Sequence, residues 1–186
     1  MMAIKKAGLA AVAAAVFVAG CGDDSDSSGA FCDSIAGGGS QLTSECTGCT
    51  VSREGAAADG NLSSAAEVIP DAVSPSITAS IRASARDGAV FPAGNLAGVF
   101  FTGYTTCENC TVTISTYLDG ALQESGSGLT TYDVDGRGSP ASIFSGVETT
   151  RPFDAVEIVD SGTTTPGNGP VALQVFEICS NGGVRD

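Results

Sequence analysis

The chain has 186 residues, with 21 acidic against 8 basic side chains and no histidine. The lack of histidine excludes Ser-His-Asp and Cys-His catalysis, and it excludes His-ligated zinc, iron and copper sites. Lys5 and Lys6 are the only lysines. An enzyme built on this sequence would depend on carboxylates, Tyr or Cys, so we predict a non-enzymatic protein. Without a basic cluster, nucleic acid is not an expected partner.

The N-terminus has the features of a secretory leader. Lys5 and Lys6 precede the apolar run Ala7 to Val18, which is too short to span a bilayer as a helix. The segment Val18-Ala19-Gly20-Cys21 resembles the lipobox of bacterial lipoproteins. The resemblance implies that residues 1–20 are a cleaved signal peptide and that Cys21 carries the lipid. The membrane is then a partner through the acyl chains, because two or more of them anchor a protein stably.

Cleavage before Cys21 would change the charge and define the remaining segments. Six arginines would face 21 acids, a net charge of −15. Residues 21–30 are acidic, Ser-rich and without an apolar anchor, which predicts a flexible tether. Residues 31–186 are long enough for a single domain. The lipoprotein resemblance implies the cell envelope, and Gly22 in place of Asp implies the outer membrane in a Gram-negative host.

Downstream of the tether the hydrophobic pattern indicates strands. Apolar and polar residues alternate from Ser76 to Ala83, and again from Thr111 to Leu118. Asp119-Gly120 predicts a type I′ turn, so Ala121 to Ser125 should return as the partner strand. No window shows sustained helical periodicity, and we predict an all-β antiparallel β-sandwich of jelly-roll or lectin-like type. Further predicted strands are Gly98 to Tyr104, Ser142 to Phe144, Asp154 to Val159 and Val171 to Ile178.

Six cysteines follow Cys21, and an even number in an exported chain suggests three disulfides. Proximity favours Cys46–Cys49 and Cys107–Cys110, leaving Cys32–Cys179 as a long staple between the first and last elements. Two other uses of the two CxxC pairs stay open. They can form a tetrathiolate zinc site, although 57 residues lie between them, or they can act in thiol-disulfide exchange. Each pair is followed by Thr-Val, which favours a strand over the helix that redox CxxC motifs use.

Some polar segments are candidate ligand sites. Asp133-Val134-Asp135-Gly136 resembles the start of a calcium loop, so Asp133 and Asp135 are weak calcium candidates, and a polar turn is the simpler interpretation. Asp59-Gly60-Asn61 is predicted to form a turn, with a cation- or ligand-binding loop as the alternative interpretation. The carboxylates offer a glycosidase pair in principle, but sequence spacing does not bring two of them together. The tyrosines that would form a sugar-stacking platform are Tyr104, Tyr117 and Tyr132.

Four segments in order resemble a poorly characterised extracellular β-sandwich module of bacterial surface proteins. The resemblance implies a jelly-roll or lectin-like sandwich and brings no established activity or site residues. The early Asp-Gly is also similar to that of discoidin-like sugar-binding domains, although the aromatic residue that often follows it there is missing. The segments are Ala58 to Leu62, Phe91 to Phe100, Thr116 to Ser125 and Pro152 to Ile158.

We therefore expect a membrane-anchored exported lipoprotein whose disulfide-stapled sandwich serves as a surface interaction or envelope-structural module. One alternative is a carbohydrate- or calcium-dependent lectin-like module, with a glycan partner. The other is a thiol-disulfide redox protein that uses a CxxC pair. The expected partner is a protein or a glycan, and calcium is the one cofactor that the sequence leaves open.

Overall fold

The computed structural model of the chain describes residues 30–35, 41–71, 76–102, 107–127, 130–134, 142–164 and 173–184. The predicted signal peptide, Cys21 and most of the tether lie outside these ranges, as do Tyr104 and Asp135. Within the ranges, no helix combines the length and the apolar character needed to cross a bilayer.

The described strands form two antiparallel sheets, and the predicted β-sandwich is confirmed. The strands of the first sheet are β1 (Ala30–Ser34), β3 (Cys49–Ser52), β4 (Ala66–Pro70), β6 (Leu96–Thr102), β9 (Thr130–Val134), β10 (Ser142–Glu148) and β12 (Leu173–Val184). Those of the second are β2 (Gln41–Thr47), β5 (Ser76–Ser84), β7 (Cys107–Leu118), β8 (Ala121–Ser127) and β11 (Ala155–Thr164). The first sheet has the order β3-β4-β12-β6-β10-β9, with β1 added beside β12; the second has the order β2-β5-β11-β7-β8.

The pairing of these strands is that of a jelly roll. From the outside inwards, β4 pairs with β12, β5 with β11, β6 with β10, and β7 with β8. Successive pairs alternate between the two sheets, as in one long hairpin rolled over on itself. Of the two sandwich types that the sequence suggests, the strand order therefore selects the jelly roll.

The clearest sequence patterns place side chains as expected. The inward face of β5 carries Ile77, Ala79, Ile81 and Ala83, each at most 2% exposed. After β7, Asp119 and Gly120 have φ of 51° and 78°, and the hairpin turn between β7 and β8 requires this positive pair. Period-two alternation and turn chemistry were thus sufficient to locate these elements.

The strand β3 lies where the Thr-Val after Cys49 favours one, but four strands lie where the sequence predicts none: β1, β2, β4 and β9. They are rich in Ser, Thr, Ala, Cys and Glu, and long-range pairing with a neighbouring strand rather than local pattern puts them into a sheet. Two short 3₁₀ turns, Glu54–Ala58 and Arg86–Gly88, also occur in the described chain. Local preference alone does not reveal elements of this kind.

The core between the sheets is built from aliphatic side chains of both. It includes Val68 and Val175 from one sheet, and Ile81, Ile114 and Ile158 from the other, each at most 2% exposed. Fully burying a side chain of this size contributes about 1.5–3 kcal/mol. This central layer holds the two sheets together.

A second apolar cluster, formed by Phe100, Phe144 and Cys179, is separate from the central core. The Phe144 ring lies against glycines on three strands: a Cβ on Gly98 would come within 2.6 Å of its Cζ, and one on Gly182 within 2.7 Å of its Cε2. Glycine is needed at these positions because any side chain would displace the ring. The ring and these glycines lock β6, β10 and β12 in register.

Disulfides close the sandwich at two places. Cys32 is bonded to Cys179, joining β1 to β12, and Cys46 is bonded to Cys49, joining β2 of one sheet to β3 of the other. Both pairings are those that the sequence predicts. Cys110 is also disulfide-bonded, but the side chain of Cys107 lies outside the described part of the chain.

The two described disulfides should differ in their effect on stability. In the chain-entropy picture a crosslink stabilises more when it closes a longer loop, so a loop of 147 residues contributes about 5 kcal/mol and a CxxC loop about 2 kcal/mol. We expect C32A/C179A to lose correspondingly more free energy of unfolding than C46A/C49A in guanidinium titrations under non-reducing conditions. Equal losses would contradict this ranking.

Substitution of Gly98 tests the contact between the Phe144 ring and the glycines. An added Cβ would lie 2.4 Å from the backbone oxygen of Ser145, which cannot move aside without breaking the pairing of β6 with β10. We expect G98A to lower the free energy of unfolding by about 1–3 kcal/mol or more. G55A is the matched control, because nothing lies within 4 Å of its new Cβ. Equal urea midpoints for the two variants would refute the packing role of Gly98.

Candidate functional site

The outward side of the five-stranded sheet, which we call the hydroxyl face, is the best-formed polar surface in the described structure. Alternate residues of each strand reach it, and strand register aligns them in rows. One row crosses all five strands and consists of Thr43, Arg82, Glu157, Ser115 and Ser125. Five strands spaced about 4.8 Å apart make this row about 19 Å wide.

Hydroxyl side chains are common in the rows that follow. The row beside Arg82 consists of Glu45, Ser80, Val159 and Thr113. The next row consists of Thr47, Thr78, Ser161 and Thr111, and the hydroxyls of Ser161 and Thr111 lie 3.0 Å apart. In the Arg82 row, Ser115 donates to Ser125 over 3.0 Å. The face is therefore rich in groups that both donate and accept hydrogen bonds.

Arg82, Tyr117 and Glu157 form a connected group on this face. The Arg82 guanidinium carbon lies 3.8 Å from the centroid of the Tyr117 ring, a cation–π contact. The Tyr117 hydroxyl donates to Oε2 of Glu157 over 2.5 Å. The contact holds the guanidinium against the Tyr117 ring.

The protonation state of Tyr117 follows from these contacts. Burial and the hydrogen bond to Glu157 raise the pKa of its phenol above 10, while the nearby Arg82 opposes the shift. The phenol therefore remains a donor at physiological pH. Among the described residues, no carboxylate forms an ion pair with Arg82 and no acceptor takes its N–H groups. Its donors are available to a ligand.

A second polar cluster lies at the turn Asp59-Gly60-Asn61. Gly60 has φ of 78°, and the Asp59 carboxylate accepts from the Asn61 N–H and the Ser64 hydroxyl. The prediction of a turn is confirmed. Its unpredicted partner is Glu177 on β12, a residue that sequence reasoning missed.

Glu177 is 1% exposed and connects three segments. Its Oε1 accepts from the Ser34 hydroxyl over 2.5 Å, and its Oε2 accepts from the Gly60 N–H over 2.9 Å. Burial raises the pKa of Glu177 above its usual value, and these two donors oppose the shift. The donors are directed at both carboxylate oxygens, so the geometry is that of a loop clamp. In the sequence, the one indication of this role is an acidic residue inside the apolar run that ends at Cys179.

Of the two predicted calcium candidates, Asp135 lies outside the described residues, and only the backbone of Asp133 lies within them. Asp133 lies in β9 opposite Ile143, rather than in a turn, and the side chains of Asp133 and Tyr132 are outside the description. In the described ranges, no three His, Cys, Asp or Glu side chains approach one another closely enough to hold a metal ion. Asp160 is buried at 1% exposure on the inner face of β11 and belongs to the interior.

Both CxxC motifs run into strands. Cys49 begins β3, and Cys110 lies within β7. The thiol chemistry of redox CxxC motifs depends on a helix N-terminus, whose dipole lowers the thiol pKa. Neither motif has that setting here, so both fit structural crosslinks better than catalytic ones.

Comparisons of the chain with protein-family models, with curated proteins and with solved structures gave no match. The class of the protein, a disulfide-crosslinked jelly-roll sandwich, is therefore defined by its strand pairing and bonds alone.

The buried Glu177 gives a pH prediction. Because its folded-state pKa lies above 4.5, the folded state holds a proton that the unfolded state releases in the window just above that value. The stability from this group is present below the unfolded pKa and lost as pH rises through the folded pKa. We expect the free energy of unfolding of the wild type, minus that of E177Q, to fall as pH rises from about 4.5 toward neutrality.

Urea titrations of both proteins at a series of pH values measure this difference. E148Q, at an exposed position on β10, controls for the loss of one carboxylate. A difference that stays constant or increases with pH would contradict the assignment of Glu177 as a buried acid.

Proposed function

We propose that this chain is an exported, lipid-anchored protein of the cell envelope that acts through binding or envelope architecture rather than catalysis. The observation that carries the proposal is the Cys32–Cys179 bond, which links the first and last strands beside a fully buried Cys179. Such structural disulfides are typical of oxidising compartments. A lipobox-like Val18-Ala19-Gly20-Cys21 supplies the anchor, and Gly22 supports the outer membrane in hosts that have one.

The non-catalytic part of the proposal is supported by chemistry. The chain has no histidine, and every lysine precedes Cys21. In the described residues, the buried carboxylate of Glu177 is occupied by Ser34 and Gly60, and both described CxxC segments lie in strands. These groups connect segments of the fold.

Carbohydrate recognition is the second candidate function, and the hydroxyl face favours it. Its Ser and Thr side chains and the Arg82–Tyr117–Glu157 group offer the donors and acceptors that polyhydroxylated ligands use. A polar surface of this kind suits a lectin-like module on the outside of a cell. No calcium ligand set supports calcium dependence in the described part of the chain.

Substitution of Cys21 tests the anchor. We expect C21S to abolish incorporation of labelled palmitate and to move the protein from the membrane to the soluble envelope fraction, because the thiol is the acylation site. S25A, four residues downstream, is the matched control and should remain in the membrane fraction. Persistent acylation and membrane retention of C21S would refute the lipoprotein assignment.

A further inference from the structure

We propose that the hydroxyl face is a binding site for a neutral polysaccharide, with Arg82, Tyr117 and Glu157 as its central contacts. This inference deepens the binding role proposed above by naming the surface and the ligand class. It does not depend on whether the lipid anchor is confirmed.

The Arg82 guanidinium is positioned before any ligand binds. A lone surface arginine normally loses side-chain freedom when it binds a ligand, at a cost in affinity. Here the guanidinium already lies 3.8 Å from the Tyr117 ring centroid, so part of that ordering is complete before binding. None of the described residues takes its N–H groups. The structure thus presents a positioned but unused set of donors.

The carboxylate of Glu157 provides a hydrogen-bond acceptor beside Arg82. Strand register places Glu157 directly beside Arg82, and the carboxylate is held through its Oε2 by Tyr117. A carboxylate oxygen and a guanidinium edge on adjacent strands can accept from and donate to the hydroxyls of one sugar chain, since each hydroxyl both donates and accepts. The same row continues to the exposed Ser125, whose hydroxyl accepts from the buried Ser115.

The charges around Arg82 favour a neutral ligand. Arg82 is flanked by Glu157 in its own row and by exposed Glu45 in the row beside it. An acidic polymer would meet two carboxylates for one guanidinium, on a chain that is acidic overall. A neutral chain of hydroxyls avoids this repulsion and satisfies both kinds of group.

The composition of the hydroxyl face fits a sugar better than a protein partner. Protein interfaces are centred on buried apolar and aromatic side chains. Among the described residues of this face, the larger aliphatic side chains are Val159, half-buried on β11, and Leu122, exposed at the β8 edge. Around Val159 the face carries Ser, Thr, Arg, Tyr and Glu side chains, which favour a hydrogen-bonding ligand.

The test uses the full-length chain purified in detergent, so that it does not require lipidation to succeed or fail. Affinity electrophoresis in gels containing dextran, galactomannan, xylan or polygalacturonate measures retardation by each polymer. We expect retardation by at least one of the three neutral polymers, and none by polygalacturonate. R82A and E157Q should each weaken the retention at least 10-fold.

Two control variants distinguish recognition from loss of folding. R86A, on the exposed 3₁₀ turn after β5, and E148Q, on the other sheet, should bind like the wild type. Y117F keeps the ring under Arg82 but removes the bond to Glu157, so it should weaken binding with little change in melting temperature. Binding by R82A and E157Q is measured below the melting temperature of each variant, and circular dichroism determines that temperature.

Four outcomes would overturn the proposal: no retardation by any neutral polymer, retardation by polygalacturonate alone, binding that survives both R82A and E157Q, or equal weakening by R86A and E148Q. Failure of the C21S experiment with intact polysaccharide binding would remove the anchor and leave this site. Intact anchoring without polysaccharide binding would remove the polysaccharide site and leave the anchor.

Discussion

The sandwich depends on the position of its last strand. β12 pairs with β4 and β6, takes β1 along its edge, and carries both Cys179 and Glu177. Every one of these contacts joins residues far apart in the chain. Loop closure opposes such contacts, so the first sheet becomes complete only when the C-terminal segment has docked. The Cys32–Cys179 bond makes that docking permanent.

Local sequence pattern was sufficient for the strands that alternate cleanly and for those joined by a tight turn. β5 and the β7–β8 hairpin are the clearest cases, because one apolar face and an Asp119-Gly120 turn each have a single good solution. The sequence does not predict β1, β2, β4 and β9, for the opposite reason. They lack a clean alternation, and pairing with other strands sets their conformation; for β1 the partner residues lie up to 154 positions away.

The candidate site was predictable in composition but not in arrangement. Alternation put Arg82 on the polar side of β5 and Tyr117 on the polar side of β7. Their contact depends on β11 lying between the two strands and on its register, which brings Glu157 beside Arg82. Nothing local encodes that pairing. The same holds for Glu177, whose role exists only because β12 passes the Asp59-Gly60-Asn61 turn and Ser34.

The two sheets therefore differ in what their outer surfaces do. Beyond the central core, the seven-stranded sheet carries Phe100, Phe144 and the Cys32–Cys179 bond, which are groups that add stability. The five-stranded sheet turns outward a surface of hydroxyls with one positioned arginine. Because these stabilising groups lie on the first sheet, the outer face of the second sheet can carry polar side chains. The contact with the Tyr117 ring positions the Arg82 guanidinium before a ligand binds, and such preorganisation reduces the entropy cost of binding.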